Sequence, residues 1–176
     1  MVSFKHWWRG KDGVTAVEFS LLALPLVVMV IGTIEIALMF TTQSLLDAST
    51  SVAARLIRTG QIQQAGGTEE AFRDALCEFA EILIPCDNIQ FQVQDLGDFA
   101  TAEDMPPAEF DEEGNMEDQG FAPGDINSVV LIRVAYKYSI ITPMMQPVLT
   151  NRSDGSRMML STIVMQNEPY EFVDDE

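Results

Sequence analysis

Histidine occurs once in the 176 residues, at His6, and cysteine twice, at Cys77 and Cys86. A His-based catalytic triad has a single position to draw on, and the two cysteines are not spaced as a CxxC motif, so redox and zinc chemistry are poor readings. Cations are scarce: ten Lys and Arg stand against 27 Asp and Glu, for a formal charge of −17. A phosphate-binding surface needs clustered Lys and Arg, and the lack of such a cluster excludes nucleic acid as a partner. Internal repeats are absent. Carboxylates do occur in runs, Asp111-Glu112-Glu113 and Glu117-Asp118. They lack the apolar neighbours that would raise one pKa and create an acid/base pair, so a solvated acidic loop accounts for them better than catalysis. Neither an enzyme nor a cofactor is expected.

What the chain has in quantity is apolar surface, 47% of its residues, concentrated between Phe19 and Phe40. At about 1.5 Å per residue this run covers roughly 33 Å, enough to cross a bilayer core as one transmembrane helix. Lys5, Arg9 and Lys11 precede it, while Arg55 and Arg58 beyond it are diluted by a strongly acidic remainder. The positive-inside rule then puts the N-terminus in the cytoplasm and everything past Phe40 outside it. A cleaved signal peptide fits poorly, because the apolar region is too long and the nearest small-x-small site, Ser51-Val52-Ala53, lies far beyond it. With both cysteines on the exported side, a Cys77–Cys86 disulfide is the expectation.

Periodicity sets out the rest. Leu45, Leu46, Ala48, Val52, Ala53, Leu56 and Ile57 recur at helical spacing, so the membrane helix (14–40) continues as an amphipathic stalk over 41–59. Gly60, Gly66 and Gly67 mark a loop. Thr68 is a good N-cap, with Glu69 and Glu70 in the first turn, for a helix whose apolar set is Phe72, Ala75, Leu76, Phe79 and Leu83 and which Pro85 ends. Ile89, Phe91 and Val93 alternate with three glutamines as a half-buried strand should. Residues 97–124 read as a solvated or flexible acidic insertion. Two more strands follow, Val129–Ile141 and Arg157–Gln166, and the acidic tail 171–176 is expected to be disordered. The fold class is α+β: a long N-terminal helix carrying a small antiparallel sheet and a packed helix within 60–170, a pilin-like plan.

At the membrane boundary the residues run Gly13-Val14-Thr15-Ala16-Val17-Glu18-Phe19, followed by Pro25, Gly32, Glu35 and Ala53-Ala54-Arg55. This set resembles the TadE-like family, whose signature is a G-x-x-x-x-E-F start leading into an apolar helix with Pro and then G-x-x-E. Met165-Gln166-Asn167-Glu168-Pro169 echoes the family's closing pattern, with Asn where a basic residue or Pro is expected. The resemblance implies a single-pass protein of the bacterial inner membrane with a periplasmic C-terminal domain. It also implies a role as a minor pilin or pseudopilin of a tight-adherence, Flp-type pilus, with a cytoplasmic leader, 1–13, removed by a prepilin peptidase between Gly13 and Val14. Glycine suits the position before the cut, since a missing Cβ lets a protease approach the backbone. His6 would leave with the leader.

Glu18 and Phe19 complete the processing motif, and the family implies that Glu18 meets the N-terminal amine of an adjacent subunit. Glu35 is costly inside a membrane. It either snorkels or hydrogen-bonds Thr33 or Thr41, or else makes a polar contact to a neighbouring pilin or the inner-membrane platform. Pro25 is a candidate kink. Asp111, Glu113, Asn115, Glu117 and Asp118 offer oxygens to calcium around Gly114, yet their spacing matches no EF-hand loop and no metal site is assigned. The alternative function is a membrane-anchored adhesion or binding module of a secretion system that stays outside the filament.

Overall fold

The computed structural model describes residues 14–103, 105–117 and 120–170. The leader and the acidic tail lie outside these residues. Helix α1 runs unbroken from Val14 to Arg58, about 68 Å at the usual helical rise. Pro25 sits inside it and removes one backbone donor. Gly60, at φ 77°, turns the chain away from its end. Next come α2 (Gln61–Gln64), α3 (Glu69–Ala80), β1 (Ile89–Asp95), α4 (Phe99–Glu103), β2 (Gly120–Phe121), β3 (Val129–Ser139), α5 (Gln146–Leu149) and β4 (Ser156–Gln166). The sheet order is β2-β1-β3-β4.

Thr68 caps α3 as expected, its side-chain oxygen accepting a hydrogen bond from the Ala71 N–H at 3.2 Å. Its buried face is centred on Phe72, Leu76 and Ala80, and the chain then tightens so that Ile84 points inward. Of the helix's apolar set, Phe79 at the margin of this face and Leu83 beyond the tightening are exposed. Cys77 on α3 is disulfide-bonded to Cys86, across a Cα–Cα distance of 5.7 Å, just before β1.

The sheet is mixed, not wholly antiparallel. β1 and β3 pair antiparallel with Phe91 opposite Val134, and β3 and β4 with Ile132 opposite Ile163. β2 instead joins the edge of β1 in parallel, with Gln92 opposite Gly120. One face of the sheet, carrying Phe91, Val93, Ile132 and Val134, packs on Leu46, Ala53 and Ile57 of α1 and Phe72 of α3. The opposite face is buried as well: Val129, Leu131, Arg133 and Ala135 of β3 are all covered.

The cover is the acidic insertion, in which Gly114 and Met116 are buried and most other described residues are exposed or half-buried. Arg133 donates to the Pro106 carbonyl and to Gln92 Oε1, Lys137 to the Glu113 carbonyl at 2.9 Å, and Arg152 to the carbonyls of Asp111 and Glu112. Three cations thus fix the insertion through its backbone, while its carboxylates stay largely in water.

The disulfide closes a short loop, for which the chain-entropy relation gives about 2.5 kcal/mol. The Cys77→Ser/Cys86→Ser double variant should lose about that much stability in urea unfolding of the detergent-solubilised chain, and reductant should have no further effect on it.

Candidate assembly site

Along α1 the burial pattern changes once. From Thr15 to Ile31 no residue is buried: Phe19, Leu21, Leu22, Leu24 and Met29 are each at least two-thirds exposed, as lipid-facing residues of an anchor would be in a monomer without its membrane. From Gly32 onward one stripe disappears into the head, formed by Gly32, Glu35, Met39, Thr42, Leu46, Ser49, Ala53 and Ile57. The head therefore grips the helix below the expected membrane–stalk boundary at Phe40. Thr42, Ser49 and Thr50 tolerate this face because each hydroxyl donates to a carbonyl one turn back on the same helix.

Glu35 lies at the first buried turn and is 3% exposed. Its Oε1 accepts from the Tyr138 hydroxyl and the Ile141 N–H, each at 3.1 Å, and its Oε2 from the Thr142 N–H at 3.2 Å and the Thr142 hydroxyl at 2.9 Å. Taking a carboxylate out of water costs several kcal/mol, which bonds to a charged acceptor, about 1.5–3 kcal/mol each, can offset. Neither threonine on its own helix is a partner. Thr33 donates to the Met29 carbonyl and Thr41 to the Ala37 carbonyl. Glu35 is thus satisfied inside its own chain, by a segment more than a hundred residues downstream.

Gly32, one turn earlier, belongs to the same contact: a Cβ there would lie 3.0 Å from Met145 Cε. The pair Gly32-x-x-Glu35 works as one seat for residues 138–145, the glycine admitting a side chain and the glutamate holding the backbone. At the other end of the helix, Glu168 N–H donates to the Arg58 carbonyl at 2.9 Å, and its carboxylate lies 2.7 Å from Arg58 Nη2. Asn167 beside it is buried, its amide donating to the carbonyls of Pro123 and Asp125. The closing motif of the sequence is therefore a clasp over the helix C-terminus, where carbonyls lack partners of their own.

Of the processing motif, Gly13 lies outside the described residues and Val14 begins α1. Glu18 and Phe19 are exposed on the free half. The motif and Glu35 are therefore not one site: Glu18 lies about 26 Å below Glu35 along the axis. Asp111 spends its carboxylate on the Asn115 side chain and backbone, which hold its pKa below the usual range. Among the described residues, no three His, Cys, Asp or Glu side chains converge as a metal site would require.

A long apolar N-terminal helix, with no buried residue from Thr15 to Ile31 and carrying a small α+β head on its second half, defines a candidate single-anchor membrane protein. Residues 13–55 match the model of the TadE-like protein family, the family that the helix motif resembles. That match takes in both Glu18 and the Gly32/Glu35 seat, and it points to the tight-adherence pilus systems. No curated protein and no solved structure matches the chain.

Glu35→Ala should destabilise the head by about 3 kcal/mol, since it strands two backbone donors as well as removing the charge, and Tyr138→Phe by about 1 kcal/mol. The same contact carries a pH signature. Burial first, then the hydrogen bond and charge of Glu35, push the Tyr138 phenol up to about 12. The neutral phenol is the form the fold favours, so its contribution is complete below the unfolded pKa near 10 and is lost as pH rises through about 12. Alkaline unfolding followed by circular dichroism should soften in Tyr138→Phe, though not vanish, because burial also raises Tyr136.

Proposed function

We propose that this chain is a minor-pilin or pseudopilin-like subunit of a tight-adherence pilus, held in the bacterial inner membrane with its N-terminus in the cytoplasm and its head in the periplasm. A prepilin peptidase cuts it between Gly13 and Val14, and it then joins or primes the filament by packing its free half-helix against those of other subunits and the membrane platform. The observation that carries this reading is the division of α1: Thr15–Ile31 has no buried residue, while the head is complete without it. A helix half that contributes nothing to its own fold is available to lipid first and to neighbouring helices afterwards.

Glu18 gives the packing a register. After cleavage it is the fifth residue of the mature chain, about 6 Å along the axis from the new amino group of Val14. Two unit charges about 4 Å apart attract by roughly 4 kcal/mol at an effective dielectric near 20, and each alone at a dehydrated boundary carries a desolvation cost. Pairing the carboxylate of one subunit with the amine of the next therefore favours one axial offset over others.

The alternative, an adhesion module resting on the acidic insertion, gains no support from an insertion that covers the sheet. Removing residues 97–124 would expose Leu131 and Ala135 and so would test folding before it tested attachment.

Mass spectrometry of membrane-extracted protein from peptidase-positive cells should find Val14 at the N-terminus, and an intact leader would refute processing. Glu18→Gln should insert and be cut normally yet fail to restore pili in a deletion strain. Normal pilus number with the Gln variant would reduce Glu18 to an interfacial residue.

A further inference from the structure

The underside of the head, where it meets Gly32, has a composition unlike the rest of the protein. Between Lys137 and Arg152 the chain runs fourteen residues without a charge, in a protein where 21% of residues are charged. The middle of that run projects apolar side chains outward: Ile141 is 71% exposed, Met144 65% and Val148 76%. They continue onto other surface at the same level, as Leu38 of α1, Leu83 and Ile141 line one shallow groove, and Ile82 beside Leu83 is also exposed.

The height of this patch is fixed. Glu35 holds Ile141 and Thr142, and Met145 rests on Gly32, so residues 141–148 cannot move along the helix without breaking the seat. Thr15–Ile31 spans about 26 Å, and a bilayer core measures about 30 Å. If the free half-helix crosses the membrane, the head begins before the hydrocarbon ends. Away from that groove, exposed Ile34 and Phe40 carry the apolar surface of α1 further up.

Much of the backbone polarity of this turn is met within the chain, which eases entry into an apolar layer. The N–H groups of Ile141 and Thr142 go to Glu35, that of Met145 to the Thr142 carbonyl, that of Gln146 to Pro143 and that of Thr150 to Gln146. Pro143 and Pro147 have none to satisfy.

We propose that residues 141–148 are a second membrane contact, a wedge in which Ile141, Met144 and Val148 enter the outer boundary of the bilayer beside the anchor, and that Glu35 sets its depth. The occupant of the patch is lipid, because the patch is continuous with the lipid-facing helix surface and has no charge to match to a protein partner. The wedge fixes the tilt of the head on the membrane, so extraction of a subunit into a filament must withdraw it along with the helix. The inference rests on the anchor reading above.

The test uses the full chain with Trp7 and Trp8 replaced by Phe, reconstituted in nanodiscs whose phosphatidylcholine is brominated in the upper acyl chain. One tryptophan is introduced at a time, as Val148→Trp for the wedge, Leu24→Trp for the anchor, and Ile126→Trp at the far end of the head. Bromolipid should quench Leu24→Trp and Val148→Trp and leave Ile126→Trp unchanged, and Glu35→Ala in the Val148→Trp background should reduce the quenching. Quenching of Leu24→Trp without Val148→Trp would overturn the wedge and leave the anchor standing. A blue-shifted but unquenched Val148→Trp would overturn it in favour of a protein, such as a second copy, covering the patch. Absence of quenching at Leu24→Trp as well as at Val148→Trp would overturn the wedge and the anchor reading together.

Discussion

The carboxylate of Glu35 sits where α1 changes from a helix exposed on every side to one packed against a sheet, and the placement of the head follows from that contact. Above it the buried stripe is apolar or self-satisfied, and apolar packing alone tolerates a shift of one helical turn more easily than four directed hydrogen bonds do. Glu35 supplies the direction. It accepts from two backbone N–H groups and two hydroxyls, drawn from Tyr138 near the end of β3 and from Ile141 and Thr142 just after it. A shift of the helix would leave a buried charge without donors, the arrangement that proteins avoid most strictly.

A second clasp at Arg58 and residues 167–168 acts at the opposite end, and the two together define the length of helix that belongs to the head. Between them lie the contacts with α3 and the sheet. The surface ion pair of Arg58 with Glu168 adds little by itself. The backbone bond to the Arg58 carbonyl and the amide of buried Asn167 matter more, because they tie the end of β4 to the helix and to the carbonyls of Pro123 and Asp125. Tyr170 completes the closure by laying its ring against Gly60, where a Cβ would come within 2.6 Å of it.

Features that depend on local pattern were legible in the sequence. The glutamine-apolar alternation of β1, the long β-branched run of β3, the cap at Thr68 and the turn at Gly60 each follow from neighbours a few residues away. A chain with two cysteines allows one intramolecular pairing. What was not legible depends on distant partners. A glutamate in an apolar helix announces that some donor must meet it, but nothing around Glu35 names Tyr138 or Thr142. The acidic insertion has the same blind spot: carboxylates signal solvent, but nothing near them announces that Arg133, Lys137 and Arg152 hold that segment by its carbonyls, which every residue carries. Helical spacing carried past Ala80 puts Leu83 with the apolar set, but the chain has tightened by then and Ile84 takes the inward position.

Two carboxylates on one helix thus have opposite environments, and the contrast separates folding from assembly. Glu35 is buried and satisfied by its own chain, so it is spent on the subunit. Glu18 stands on the half of α1 from which the head is absent, with exposed residues on every side of it. A carboxylate so near an apolar span needs either water or a cation. On the proposed reading, water serves Glu18 at the membrane boundary but not among tightly packed helices, where the amino terminus of a neighbouring subunit cut after Gly13 is the cation at hand. Such a subunit is stable alone, because its internal charge is already met, and incomplete in a bundle until a neighbour meets the other. The head then stays intact while the helix exchanges lipid for protein, since none of the residues from Thr15 to Ile31 is buried in it.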